Sequence, residues 1–266
     1  MKKVWIDAGH GGKDPGATAN GLQEKDIVLA LSLAVKKRLE AEYNGVKVFL
    51  SRSTDVFVEL PDRTAAANRE KADILVSIHC NAGGGSGGFE SYRYPRASAA
   101  STAFHHVLHS EIMSALKPLG ITDRGQKTKN LHMLRETNMP AVLTENLFVD
   151  VAADAALLKR REVMNALAAG HAAGIAKALG LQRKGGDHVD HPGRDIHVVS
   201  PWAAAAWDEM TKNGYFDGSR PGAPITREEC AIVFNRLRKD ILSMITANQE
   251  LLKSLEKRLQ ALEEGK

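Results

Sequence analysis

His10 sits within Asp7-Ala-Gly-His-Gly-Gly12, immediately after the apolar run Val4-Trp5-Ile6. Glycines that follow a strand let a side chain or a ligand come close to the backbone, and open α/β folds build their sites at the carboxyl ends of strands. The turn has neither the spacing nor the Lys-Ser/Thr pair of a phosphate loop. A second imidazole, His79, ends the run Ile74-Leu-Val-Ser-Ile78. Between the two, Glu24 precedes Ile27, Val28 and Leu31 by three, four and seven positions, which puts it on the inward face of a first helical turn. Taken alone, a Glu there is better explained by attraction to a helix N-terminus. If the strands before His10 and His79 are parallel neighbours, both imidazoles and Glu24 converge on one end of a sheet. Two His and one Glu with an open fourth position form the ligand set of a hydrolytic zinc site. Cys80 points to the other face of its strand and reads as a buried thiol rather than a fourth ligand. Glu145 ends the run Met139-Pro-Ala-Val-Leu-Thr144 and is the candidate for the second acid, which takes a proton from water and hands it to the departing amine. Pairing with Arg135 or another nearby cation is the plainer alternative for this residue.

The elements that must position these groups follow from the apolar pattern. Residues 1–181 alternate short apolar runs with longer helical patterns, the signature of an α/β sheet domain. Strands are expected at Lys3–Asp7, Val46–Ser51, Ile74–His79, Gly88–Tyr92, Leu131–Leu134 and Ala141–Thr144, and helices at Glu24–Tyr43, Leu60–Lys71, Ala97–Leu116 and Asp154–Leu179. Gly180 reads as the stop of the last helix. His105, His106 and His109 lie on the third helix and read as a solvated face, whereas His171 reads as a packed histidine in an apolar stripe. Arg63 and Asn68 lie on the second helix, where a helix-surface reading is open.

Residues 182–199 then break all periodicity with three Gly, one Pro and three His, and read as a linker that leaves His188, His191 and His197 in solvent. Beyond it, residues 200–266 suggest a small all-α module. Ser200-Pro201 opens a helix to about Lys212, and Thr226-Arg-Glu-Glu229 is a capping box for a helix to Arg238. Ile241, Ile245, Leu252, Leu255, Leu259 and Leu262 then alternate three and four apart once Asn248 is counted as a polar seam position, so residues 241–266 read as a coiled-coil-like helix and 241–262 as a homodimer seam. A helix folded back on its neighbours is the alternative.

Over the 266 residues, 43% are hydrophobic and 26% charged, which excludes wholesale disorder and a membrane bundle. With no apolar run long enough for a signal peptide or a span, the chain is expected to be made in the cytoplasm and to have no membrane partner. Cys80 and Cys230 fall in separate domains and are expected as thiols. A net charge of +4 permits attraction to a polyanion, but without a recognisable motif it does not support nucleic-acid binding.

Residues IDAGHGGKDPGA (6–17), Glu24, SRSTDVFVELPDRTAAANREKADILVSIHCNA (51–82) and LRETNMPAVLTENLFVD (134–150) resemble, in order and spacing, the zinc-dependent N-acetylmuramoyl-L-alanine amidases of the type 3 family, found in bacterial autolysins and phage endolysins. The resemblance covers residues 1–181. It implies a mixed, mostly parallel sheet of about six strands flanked by helices, Zn2+ bound by His10, Glu24 and His79, Glu145 as the catalytic glutamate, Arg63 and Asn68 as structural or groove-lining residues, and peptidoglycan as substrate, cut between N-acetylmuramic acid and L-alanine. Two departures stand out: Cys80 replaces a small residue, and Thr144-Glu-Asn-Leu-Phe148 replaces the usual Val-Glu-Leu-Gly-Phe. Residues 200–240 are similar to one S-layer-homology repeat, which implies attachment to an anionic wall polysaccharide, with Trp202, Trp207, Arg220 and Arg227 as the groups suited to it. The expectation is therefore a phage-type wall lysin, made in the cytoplasm and acting on the cell wall after release. The alternatives are an inactive wall-binding protein and a metal-dependent hydrolase of another amide.

Overall fold

The computed structural model describes residues 1–184, 199, 204–216 and 227–264. They fall into two compact units divided between Asp187 and His188. The first is built on strands β1 (Lys2–Ala8), β4 (Val46–Leu50), β5 (Ile74–Asn81), β6 (Phe89–Arg93), β7 (Asp123–Thr128) and β8 (Ala141–Phe148), while β2 (Thr18–Ala19) and β3 (Leu22–Gln23) form a separate small hairpin. The six strands run in the order β4-β1-β5-β8-β6-β7. Every pairing is parallel except β6 with β8, so the expected mixed, mostly parallel sheet is observed.

Alternation along the central strands sorts side chains onto two faces. On one face Val4, Ile6, Val76, Ile78 and Val142 meet helices α1 (Glu24–Glu42), α3 (Ala99–Leu116) and α6 (Arg161–Leu179) in the main core. On the other, Trp5, Leu75, Ala141 and Leu143 meet α2 (Leu60–Glu70) and α4 (His132–Arg135) in a smaller cluster with Ala67, Met133 and Leu134. The smaller cluster leaves one end of its face open. Register then matters, because Ile6 pairs Val76, Asp7 pairs Ser77 and His79 pairs Glu145. The odd-numbered residues Asp7, His79 and Glu145 thus share the open face.

Four expectations need correction. Leu131–Leu134 is not a strand: Leu131 caps the short helix α4, which folds Met133 and Leu134 onto the smaller cluster. The sixth strand is β7, a polar edge strand with no buried residue, and so without an apolar signature. The helix expected over 154–179 is two, α5 (Ala152–Leu158) and α6, separated where Arg160 adopts an extended backbone. His105 and His109 are not on a solvated face. They are 1% and 4% exposed, and Ser91 Oγ lies 2.7 Å from a ring nitrogen of each.

In the second unit, α7 (Ala204–Lys212) and α8 (Arg227–Glu264) are helical. The two helices expected over 226–238 and 241–262 are one continuous helix, since Lys239-Asp240 contains no breaker and the backbone passes through it. Trp207 stacks on Phe216 with ring centroids 5.0 Å apart, and Tyr215 donates to Asp240 Oδ2 at 2.8 Å, which ties the turn after α7 to α8. Ser200-Pro201, Trp202, Arg220, Thr226, the linker histidines and the side chains of Arg227, Cys230 and Leu262 lie outside the described residues. No described helix is long and apolar enough to cross a membrane.

Candidate metal centre and active site

His10, Glu24 and His79 meet at the open end of the sheet. His10 Nε2 lies 3.1 Å and His79 Nδ1 3.0 Å from the same oxygen, Glu24 Oε1, and the two nitrogens are 3.2 Å apart. Three lone-pair atoms so close suit a shared cation, because ligands about 2 Å from a tetrahedral zinc stand roughly 3.3 Å from one another. The surroundings fit as well. Asp14 Oδ2 lies 2.8 Å from His10 Nδ1, the carboxylate support that orients a metal-bound imidazole. The second oxygen of Glu24 accepts from the Ala17 backbone N–H at 2.9 Å. Burial works against charge on these groups, yet the hydrogen bonds with Glu24 and Asp14 raise His10 to about 9. Glu24 is likewise opposed by burial, and the two imidazoles hold it far below the carboxylate range. The cluster therefore favours positive charge at its centre, and the residues present fit a divalent ion.

The chain is shaped to permit this approach. A Cβ on Gly9 would lie 2.2 Å from His79 Cε1, and one on Gly16, where φ is +64°, 2.6 Å from Glu24 Oε2. Two buried arginines hold the turn from behind. Arg63 donates to Asp7 Oδ1 at 2.8 Å, to Val58 O at 2.8 Å and to His10 O at 2.7 Å, while Arg52 donates to Ala8 O at 3.0 Å and to Gly9 O at 2.7 Å. Arg63 is thus structural rather than on a helix surface, and Asn68 bridges α2 to the backbone of Glu136 and Asn138.

Glu145 shares a cavity of about 400 Å³ with His10 and His79. Its Oε2 is buried without a hydrogen-bond partner among the described residues, and Arg135 pairs with Glu136 instead. Burial, reinforced by Glu24 and Glu90 and opposed by His79, pushes its carboxyl up to about 7. A carboxyl group with that affinity is suited to accept a proton and give it back near neutrality. Its cross-strand neighbour Glu90 behaves oppositely: burial is outweighed by Lys127, Tyr92 and Arg124, which hold it at about 2.

The family model described as N-acetylmuramoyl-L-alanine amidase matches residues 4–177, the whole region that carries this geometry. The chain belongs to the Amidase_3 family. It is 54% identical over 187 residues to the endolysin of Bacillus phage SPP1, covering 70% of this chain and 69% of that protein. It is 50% identical over 183 residues to the sporulation-specific N-acetylmuramoyl-L-alanine amidase of Bacillus subtilis strain 168, covering 69% and 70%. The solved catalytic domain of the amidase CwlV from Bacillus (Paenibacillus) polymyxa var. colistinus overlays with a TM-score of 0.64 at 40% identity, over 68% of this chain and all of that one. The sequence resemblance is thereby established at the level of family and peptidoglycan amidase activity.

All four residues singled out from sequence lie at this one site. Asp14, Arg52, Asp7 and Glu90 were missed as its supports. The signal available for Asp7 and Arg52 was a charge at the edge of an apolar strand, whereas for Glu90 it was absent, since its partners come from Asn81 and from a strand without apolar pattern.

Proposed function

We propose that this amidase hydrolyses the amide between N-acetylmuramic acid and L-alanine with one Zn2+ held by His10, Glu24 and His79 and with Glu145 as the proton carrier. The observation that carries this reading is the meeting of three lone-pair atoms, within 3.2 Å of one another, beside a buried carboxyl oxygen without a hydrogen-bond partner among the described residues. When bound, the ion supplies Lewis acidity for the amide carbonyl and for water. Glu145 accepts the proton of the attacking water and delivers it to the alanine nitrogen as the C–N bond breaks, ending in its starting state. Asp14 keeps His10 oriented with Nε2 inward, and Arg63 and Arg52 keep the His10 turn from moving as charge develops.

The name of the phage SPP1 relative, an endolysin, supports a lysin that acts on the cell wall. The sporulation-specific relative supports a bacterial role with the same chemistry. For the second unit we infer wall attachment through residues 200–240 and self-association through 241–262. The half-buried Trp207–Phe216 stack supports the first, and the exposure of Ile241, Ile245, Leu252, Leu255 and Leu259 along one side of a continuous helix supports the second.

Digestion of purified peptidoglycan tests the enzymatic reading. New L-alanine amino termini without new reducing ends, lost on chelation and restored by zinc, are expected. Wall binding without release would point to an inactive binding protein, and release of other amino termini to another amide.

A further inference from the structure

Of the charged groups that line the active-site cavity, one cation and the carboxylate of Glu59 are left without an ion pair among the described residues. Two fixed cations line it, Arg63 and Lys129. Arg63 is consumed by its buried pair with Asp7 and by backbone carbonyls. The neighbouring cations of β7 are consumed too, because Arg124 and Lys127 both bind Glu90. The Nζ of Lys129 makes no hydrogen bond and no ion pair among the described residues, and the carboxyl group its charge acts on is Glu145, whose proton affinity it lowers. It stands 5.7 Å from the centroid of the Tyr92 ring, and the Tyr92 hydroxyl is itself tied to Glu90 at 2.5 Å. The backbone is fixed as well: Lys129 N donates to Arg93 O at 3.0 Å, and Leu131 N donates to Lys129 O at 3.1 Å. Lys129 is thus an unpaired cation on an anchored backbone, at the rim of the cavity that holds Glu145.

We infer that Lys129 is a specificity-determining residue that binds a free carboxylate on the peptide side of the scissile amide. The inference rests on the amidase reading above. A peptide leaving group with L-alanine at its amino end carries acidic groups only beyond that residue, so the cation meets them downstream of the bond that breaks. The carboxylate is held equally in the ground state and the transition state, and the contact therefore acts on KM rather than on kcat.

Two soluble substrates separate the possibilities: N-acetylmuramoyl-L-alanyl-D-glutamate with both carboxylates free, and its counterpart with both converted to carboxamides. With the full-length zinc-loaded protein, Lys129→Gln is expected to raise KM for the carboxylate substrate about tenfold, in keeping with loss of a charge-assisted contact, while any change in kcat that follows from its charge acting on Glu145 is the same for both substrates. Lys129→Arg is expected to restore most of it, and wild type and Lys129→Gln should show the same KM for the dicarboxamide. An unchanged KM for the carboxylate substrate in Lys129→Gln, or an equal rise in KM on both substrates, overturns the assignment. If the wild-type protein frees no alanine amino terminus from either substrate, the amidase reading fails and the assignment falls with it.

Discussion

At the scale of single residues, the site places function against stability. Glu145 is raised to about 7 by burial, so the folded protein binds its proton more tightly than the unfolded chain does. For a carboxyl raised in this way, its contribution is most favourable below the unfolded value near 4.5 and is lost as pH rises through about 7. Glu145→Gln removes that penalty, and the chelated variant is expected to melt higher than chelated wild type at pH 8, by roughly 1–3 kcal/mol, with the gap closing toward pH 5. Equal melting curves at pH 8 would show that the carboxylate is better solvated than its surroundings suggest. Leu147 illustrates the opposite balance. It has a φ of +66° where the family usually places Gly, yet it is fully buried. Relief of left-handed strain is worth about 1–2 kcal/mol, whereas emptying a buried leucine site costs about 2–5 kcal/mol. Leu147→Gly is therefore expected to lower stability by roughly 2 kcal/mol in urea unfolding. A stabilised variant would mean that strain outweighs packing.

At the scale of elements, legibility follows burial. β1, β5 and β8 announced themselves because both faces are covered and their apolar runs are nearly unbroken. The chemistry they carry was readable for the same reason: a His or Glu that interrupts an apolar strand has no packing role to explain it, although β8 does not end at Glu145 as its apolar run suggests but continues through buried Asn146, Leu147 and Phe148. β7 was invisible because an edge strand needs only backbone pairing with β6, and no side chain of it is buried. Leu131–Leu134 misled because an apolar run that short fits one buried helical turn as well as a strand. His105 and His109 misled because their periodicity on α3 does not show that Ser91 of β6 rises to meet them. The helix α8 makes its own prediction. Ile245, Leu252, Leu255 and Leu259 are 47–59% exposed, so a Leu252→Asp/Leu255→Asp variant is expected to sediment as a monomer where the wild-type chain sediments as a dimer. Equal monomer masses would sink the self-association reading.

At the scale of the whole molecule, neutral buried histidines should set the acid limit. His171 donates from Nδ1 to Leu167 O at 2.8 Å, which leaves Nε2 to accept from the Thr144 hydroxyl at 3.0 Å. In the second network His109 Nε2 faces Asp123 at 3.0 Å, so its Nδ1 accepts from Ser91, whose oxygen in turn accepts from His105. Both networks are satisfied with neutral rings, and a further proton would bring a donor without an acceptor. Burial lowers His105 and His171 to about 4 each. With folded values depressed below 6.5, their contribution is fully present above that pH and is lost as pH falls toward 4. These two rings should lower the melting temperature as pH falls from 6.5 to 4, and His171→Gln should reduce that contribution by about one proton's worth of slope. An unchanged slope in the variant would mean that His171 does not contribute to the acid limit.

The zinc site and its proton carrier are tested together by one measurement: zinc stoichiometry and wall-hydrolysis rate, taken on the same preparations of wild type and Glu145→Gln. One zinc per chain in both, with the rate of the variant lower by about 10²–10⁴-fold, is the expected result. A Glu145→Gln protein that hydrolyses the wall at near wild-type rate, or that no longer holds the metal, would contradict the division of labour between the His10–Glu24–His79 cluster and Glu145.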